Sequence, residues 1–171
     1  NRKDEAKGLA DQAITANPQS ATAYTALSYA EQGRFHLDKA QAAANKAVQL
    51  APQDAMALAR KAELQLSQGL ISDSEQTVKQ AISLDANLER TQTVKGFTHL
   101  MSMDTDEAIQ AFNKAITLDS TSPLARLGLG LAKIRDGELE EGRRDLEIAA
   151  NLDPNNSLIR SYLGKAYYEE K

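Results

Sequence analysis

The sequence predicts an all-α protein assembled from antiparallel helix pairs, and three observations carry that expectation. Alanine occurs 28 times in 171 residues against nine Gly and four Pro, a balance that favours helix because Ala is the strongest helix former and Gly and Pro the weakest. Small residues recur every 34 positions at Ala6, Ala40, Ser74, Ala108 and Gly142, and an unbroken column runs through Ala13, Ala47, Ala81, Ala115 and Ala149. A fixed period without insertion is the mark of a repeat architecture. The third observation is punctuation. Ala16, Leu50, Leu84, Leu118 and Leu152 are followed two residues later by Pro18, Pro52, Ala86, Ser120 and Pro154, and a proline at such a place stops a helix.

Within each period the apolar spacing gives two helices joined by a short turn. Residues 3–16 open the chain as a second helix, marked by Ala6 and Ala13. A first helix follows over 21–33, where Ser20 is an N-cap and Ser28 opens a small column continued by Ala62, Gly96, Gly130 and Gly164. The second helix of that unit covers 38–50. Its preceding glycine, Gly33, comes two residues earlier than Gly69 and Gly137 do in their units, which predicts a locally irregular turn. Helix 55–68 is capped by Asp54 and helix 72–84 follows Gly69. Helix 89–102 comes next, and Asp104 with Glu107 offers a capping box before helix 106–118. Ser122 caps helix 123–136, with Pro123 at a first helical position that needs no N–H. Helix 140–152 follows Gly137, and Asn156 caps the last, 157–170.

Composition excludes several functions. With 42% apolar and 26% charged residues the chain has enough apolar content for a folded core. No apolar run reaches bilayer length and no secretory leader opens the sequence. There is no Cys, hence no disulfide framework, thiolate metal cage or cysteine nucleophile, and the compartment stays open between cytoplasm and periplasm. Twenty Lys and Arg against 24 Asp and Glu leave a net charge of −4, a poor basis for neutralising nucleic-acid phosphates.

Catalytic and cofactor chemistry finds no constellation. His36 and His99 sit in different units without a second ligand at i+3 or i+4, so each reads as structural, and no metal or other cofactor is expected. Gly128 and Gly130 mimic a phosphate loop, yet they lie in a helical stretch with no Gly-Lys-Ser/Thr after them. The acidic series Asp136, Glu138, Glu140, Glu141, Asp145 and Glu147 is broken by Arg143 and Arg144 and reads as a solvated helix face with local ion pairs.

The residues resemble the tetratricopeptide repeat. Tyr24, Leu27, Ala40, Ala47 and Pro52 carry its pattern in one unit, Ala108, Phe112 and Ala115 in another, and Leu163, Gly164 and Tyr167 in the last. The first-helix aromatic is replaced by Leu58, Gln92, Arg126 and Arg160. The resemblance implies a right-handed superhelical solenoid of about five periods forming a single array. Residues 1–20 would be the second helix of a truncated repeat, 21–54, 55–88, 89–122 and 123–156 full repeats, and 157–171 the first helix of another. A stack needs capped ends, so the chain is expected to be part of a longer repeat protein, with end helices open to self-association.

It further implies that the first helices line a concave face where a peptide or partner helix binds. The inward positions are Thr22, Thr25 and Tyr29; Met56, Ala59, Glu63 and Leu66; Arg90, Thr93, Phe97, Leu100 and Met101; Leu124, Leu127, Leu131 and Ile134; and Leu158, Ser161, Lys165 and Tyr168. Family members that grip a chaperone's C-terminal carboxylate place Lys and Asn where this chain has Thr25, Tyr29, Ala59, Glu63, Thr93, Phe97, Leu127 and Leu131, so that clamp is missing. In its place stands an apolar wall of Phe97, Leu100, Met101, Leu124, Leu127, Leu131 and Ile134, with Met56 and Leu66 beside it. The expected partner is an apolar or amphipathic protein segment. Three alternatives stand beside this non-enzymatic scaffold: a docking arm of a larger enzyme or envelope assembly, a spacer whose apolar residues are partly core, and a groove filled by the parent chain or a second copy.

Overall fold

The computed structural model describes residues 2–169, and every regular element among them is an α-helix. In chain order these are α1 (Arg2–Ala16), α2 (Ala21–Gly33), α3 (Leu37–Leu50), α4 (Ala55–Ser67), α5 (Ile71–Leu84), α6 (Glu89–Met101), α7 (Thr105–Leu118), α8 (Pro123–Asp136), α9 (Leu139–Leu152) and α10 (Ser157–Glu169). Each boundary lies within one residue of its expectation, apart from residue 170, which falls outside the described residues.

The caps explain the agreement. Ser20 Oγ accepts the Ala23 N–H, the Asp54 carboxylate accepts those of Met56 and Ala57, Ser122 Oγ accepts that of Ala125, and Asn156 Oδ1 accepts those of Leu158 and Ile159. Second helices begin differently. Asp104 makes no side-chain cap, and its carboxylate lies 3.4 Å from His99 Nδ1 instead, so the capping box does not form.

The turn after α2 is regular, contrary to expectation. His36, Leu70, Asp104 and Glu138 each donate their backbone N–H to the carbonyl five residues earlier, at 2.9 Å in all four turns. This closure needs a left-handed residue just before the donor, and Phe35 (φ 65°), Gly69 (77°), Met103 (68°) and Gly137 (95°) occupy that place. Gly33 is therefore the last helical residue, and Phe35 takes the strained position.

The chain forms two compact units, Asn1–Ala86 and Asn87–Lys171. In the first, the small columns let helices approach closely: Ala40, Ala44 and Leu64 share a core, and Ser74 Oγ donates to the Ala62 carbonyl at 3.0 Å. In the second, Phe112 anchors a core with Leu100, Ala108, Leu129 and Ala132, and Phe97 meets its ring edge-on at 4.9 Å. Gly96 and Gly128 make room for Phe112. A Cβ on either would come within 2.6 Å or 2.2 Å of its ring, so Gly128 serves packing.

Candidate functional site

The first helices of the second unit carry an apolar stripe. On α8, Leu124, Leu127, Leu131 and Ile134 follow the i, i+3, i+7 spacing that places residues on one helix face. With Phe97, Leu100 and Met101 of α6 and Leu158, Tyr162 and Ala166 of α10 they line a groove of about 530 Å³. Seven of the nine residues singled out from sequence thus lie together. The other two, Met56 and Leu66, stand on α4 in the first unit, Met56 exposed and Leu66 half-buried.

Depth separates the lining residues. Met101 is 52% exposed, Leu158 53% and Tyr162 37%, whereas Leu127 is 2% and Leu100 6%. Leu127 clusters with Leu146, Ala149, Ile159 and Ala166, and Leu100 with Phe112 and Leu129, so Leu127, Leu100 and the buried Ala166 form the floor and the others the walls. Of the positions equivalent to Leu127, Ala59 and Thr93 are also buried, Thr25 is half-buried and Ser161 is exposed. Tyr162 was not singled out from sequence. Its counterparts one period apart are Ala26, Arg60, Val94 and Gly128, a column without common character, and only its place four residues after Leu158 hints at the groove.

Charge is sparse and largely engaged. The Arg135 guanidinium donates to the Leu100 carbonyl, and Lys165 pairs with Glu169 at 3.5 Å. The first-helix face of the first unit is polar by contrast. Fully buried Arg60 donates to Ser28 Oγ (2.8 Å), the Ser28 carbonyl (3.1 Å) and Glu63 (3.1 Å), and its guanidinium lies 3.8 Å from the centre of the Tyr29 ring. The Tyr29 hydroxyl donates to Glu63 at 3.3 Å. Two residues expected to face a partner, Tyr29 and Glu63, are therefore held by an arginine within the protein.

Asp145 corrects another expectation. It is buried, and it accepts hydrogen bonds from Arg126 (2.8 Å) and Lys133 (2.7 Å) of α8, while Arg143–Glu147 and Arg144–Glu140 are the surface pairs foreseen. His36 and His99 each approach one carboxylate, Glu31 at 2.8 Å and Asp104 at 3.4 Å. Burial pushes the Glu31 carboxyl up, but the His36 hydrogen bond and the charges of Arg34, His36 and Lys39 outweigh it and hold the group below its ordinary value. Among the described residues no group of three His, Cys, Asp or Glu could hold a metal ion. No described helix is long and apolar enough to cross a membrane.

Repeated helix pairs with a groove formed by the first helices define a helical-repeat protein. The tetratricopeptide repeat family model matches residues 97–122, inside the period read as 89–122. Over those residues the chain matches a tetratricopeptide repeat, and its all-helical fold is that of solved tetratricopeptide-repeat structures. It is similar to a chain of an APC/C hetero-tetramer (TM-score 0.88, 17% identity), covering 100% of this chain but 34% of that one. It is also similar to a thermophilic tetratricopeptide-repeat protein from Thermus thermophilus (TM-score 0.82, 18% identity, 98% of this chain and 91% of that one). A third likeness is to YrrB, a tetratricopeptide-repeat protein with an unusual peptide-binding site (TM-score 0.60, 17% identity, 94% and 83%). No curated protein matches the chain by sequence.

Proposed function

We propose that the chain is a non-catalytic interaction module whose α6–α8–α10 groove binds an apolar or amphipathic segment of a partner protein. The observation that carries this reading is the groove itself: about 530 Å³ of largely apolar lining with half-exposed Met101 and Leu158 on its walls. Exposed apolar surface gathered in a concavity is what a protein segment can cover favourably, and methionine adapts to the shape of the segment. The peptide-binding site named for YrrB, on the same fold, supports this use. A docking arm within a larger assembly is the second reading, favoured by the fit of this chain to 34% of an APC/C assembly chain.

Site-specific cross-linking tests the groove. A photoreactive residue at Leu158 should capture a partner from the native extract, and the same residue at Lys114 on α7 should not. Equal capture from both positions, or capture from Lys114 alone, would remove the groove as the binding surface.

A further inference from the structure

The chain has three methionines, and none of them is buried. Met56 is 39% exposed, Met101 52% and Met103 72%, although methionine ranks among the residues most often found inside proteins. The repeat does not call for an apolar residue at Met101, whose counterparts one or more periods away are Gly33, Ser67, Arg135 and Glu169. Met101 nevertheless lines the groove. Met103 stands two residues later, on the turn after α6, and takes no part in the lining.

With no Cys and no Trp in the sequence, these thioethers are the side chains a two-electron oxidant reaches first. We propose that Met101 is a reversible oxidation site whose sulfoxide lowers the affinity of the groove for an apolar segment, an inference that rests on the groove reading above. The oxidant class is a hydroperoxide such as hydrogen peroxide. The sulfur lone pair attacks one peroxide oxygen, the O–O bond breaks as the S–O bond forms, and the second oxygen leaves as water with the proton of the first. Sulfur loses two electrons and the peroxide gains them. A dithiol reductase reverses the step, giving thioether, disulfide and water. The sulfoxide oxygen is a hydrogen-bond acceptor on a wall that is otherwise apolar apart from Arg135, Tyr162, Lys165 and Glu169. Arg135 already donates to the Leu100 carbonyl, and Lys165 pairs with Glu169. An apolar segment brings no donor of its own, so covering the sulfoxide strips its oxygen of water without replacement.

Peroxide treatment of the full chain tests this, with anilinonaphthalene sulfonate fluorescence as the probe of apolar binding and peptide mass mapping to locate each added oxygen. Oxidation at Met101 should weaken probe binding by about threefold or more, and methionine sulfoxide reductase with dithiothreitol should restore it. Met101→Leu should bind as the unaltered chain does and ignore peroxide. Met101→Gln should bind weakly without any peroxide. Met103→Gly, a change to what Gly69 and Gly137 provide in their turns, should leave the chain as sensitive as before. Circular dichroism checks that every variant is folded. Sulfoxide at Met101 without loss of probe binding would overturn the proposal, as would the same loss in Met101→Leu or a Met101 sulfur that resists peroxide while Met103 is oxidised. Equal probe binding by the unaltered chain and by Met101→Glu/Leu158→Glu would instead remove the groove reading, and the proposal with it.

Discussion

Phe35 and Met103 hold a backbone conformation that costs an L-residue roughly 1–2 kcal/mol, and both side chains are largely exposed. Glycine is free of that cost, so Met103→Gly should stabilise the chain by roughly 0.5–1 kcal/mol, and Gly137→Ala, with φ 95° and no steric neighbour, should destabilise it by about 1 kcal/mol. Denaturant midpoints check both, and a neutral result at each would show that these turns are not as tight as their hydrogen bonds indicate. Glu31 carries a pH signature. Its carboxyl is depressed in the folded state, so its stabilisation is present above the unfolded carboxyl pKa and is lost as pH falls through the folded one. Glu31→Gln should therefore lower the melting temperature at neutral pH, with the gap narrowing in acid. A gap that widened on acidification would reverse the sign. At position 127 the outcome turns on burial: Leu127→Ser removes a core side chain and should cost about 2–4 kcal/mol, so unfolding midpoints would move even without a partner.

The helix pair is the scale at which the sequence is most readable, because each small column has one physical cause. Ala81 and Ala115 are fully buried where two helices meet, and a larger side chain has nowhere to go. Ala115→Leu should cost roughly 1–3 kcal/mol by overpacking. Gly128→Ala sets two effects against each other: Ala favours helix by about 1 kcal/mol, but its Cβ would sit 2.2 Å from the Phe112 ring. The clash should win and leave a net loss, whereas Glu75→Gln, an exposed partner of Lys79, should change little. Thermal melts that rank all three alike would contradict the packing register. Periodicity failed where one column has mixed character. Arg60 and Asp145 look like surface charges in a single sequence, and only their partners on neighbouring helices, Ser28 for one and Arg126 with Lys133 for the other, explain their burial.

At the scale of the molecule, the fold was legible in the sequence because five periods repeat the same small positions and three of them end on the same proline stop. The groove was legible in part. Spacing placed Leu124, Leu131 and Ile134 on one stripe with Leu127, but spacing carries no depth, and only packing against α9 and α10 separates the floor residue Leu127 from the walls. Affinity in such a groove should come from apolar burial, and exposed charges, which salt screens, should contribute little. The most direct measurement is a calorimetric titration of the cross-linked partner, once identified, into the unaltered chain and into a folded Met101→Glu/Leu158→Glu double variant, at low and high salt. The expected result is affinity nearly independent of salt in the unaltered chain and at least about tenfold weaker in the variant, the scale of about 1.4 kcal/mol. Unchanged affinity in the folded variant, or binding that collapses as salt rises, would contradict the account.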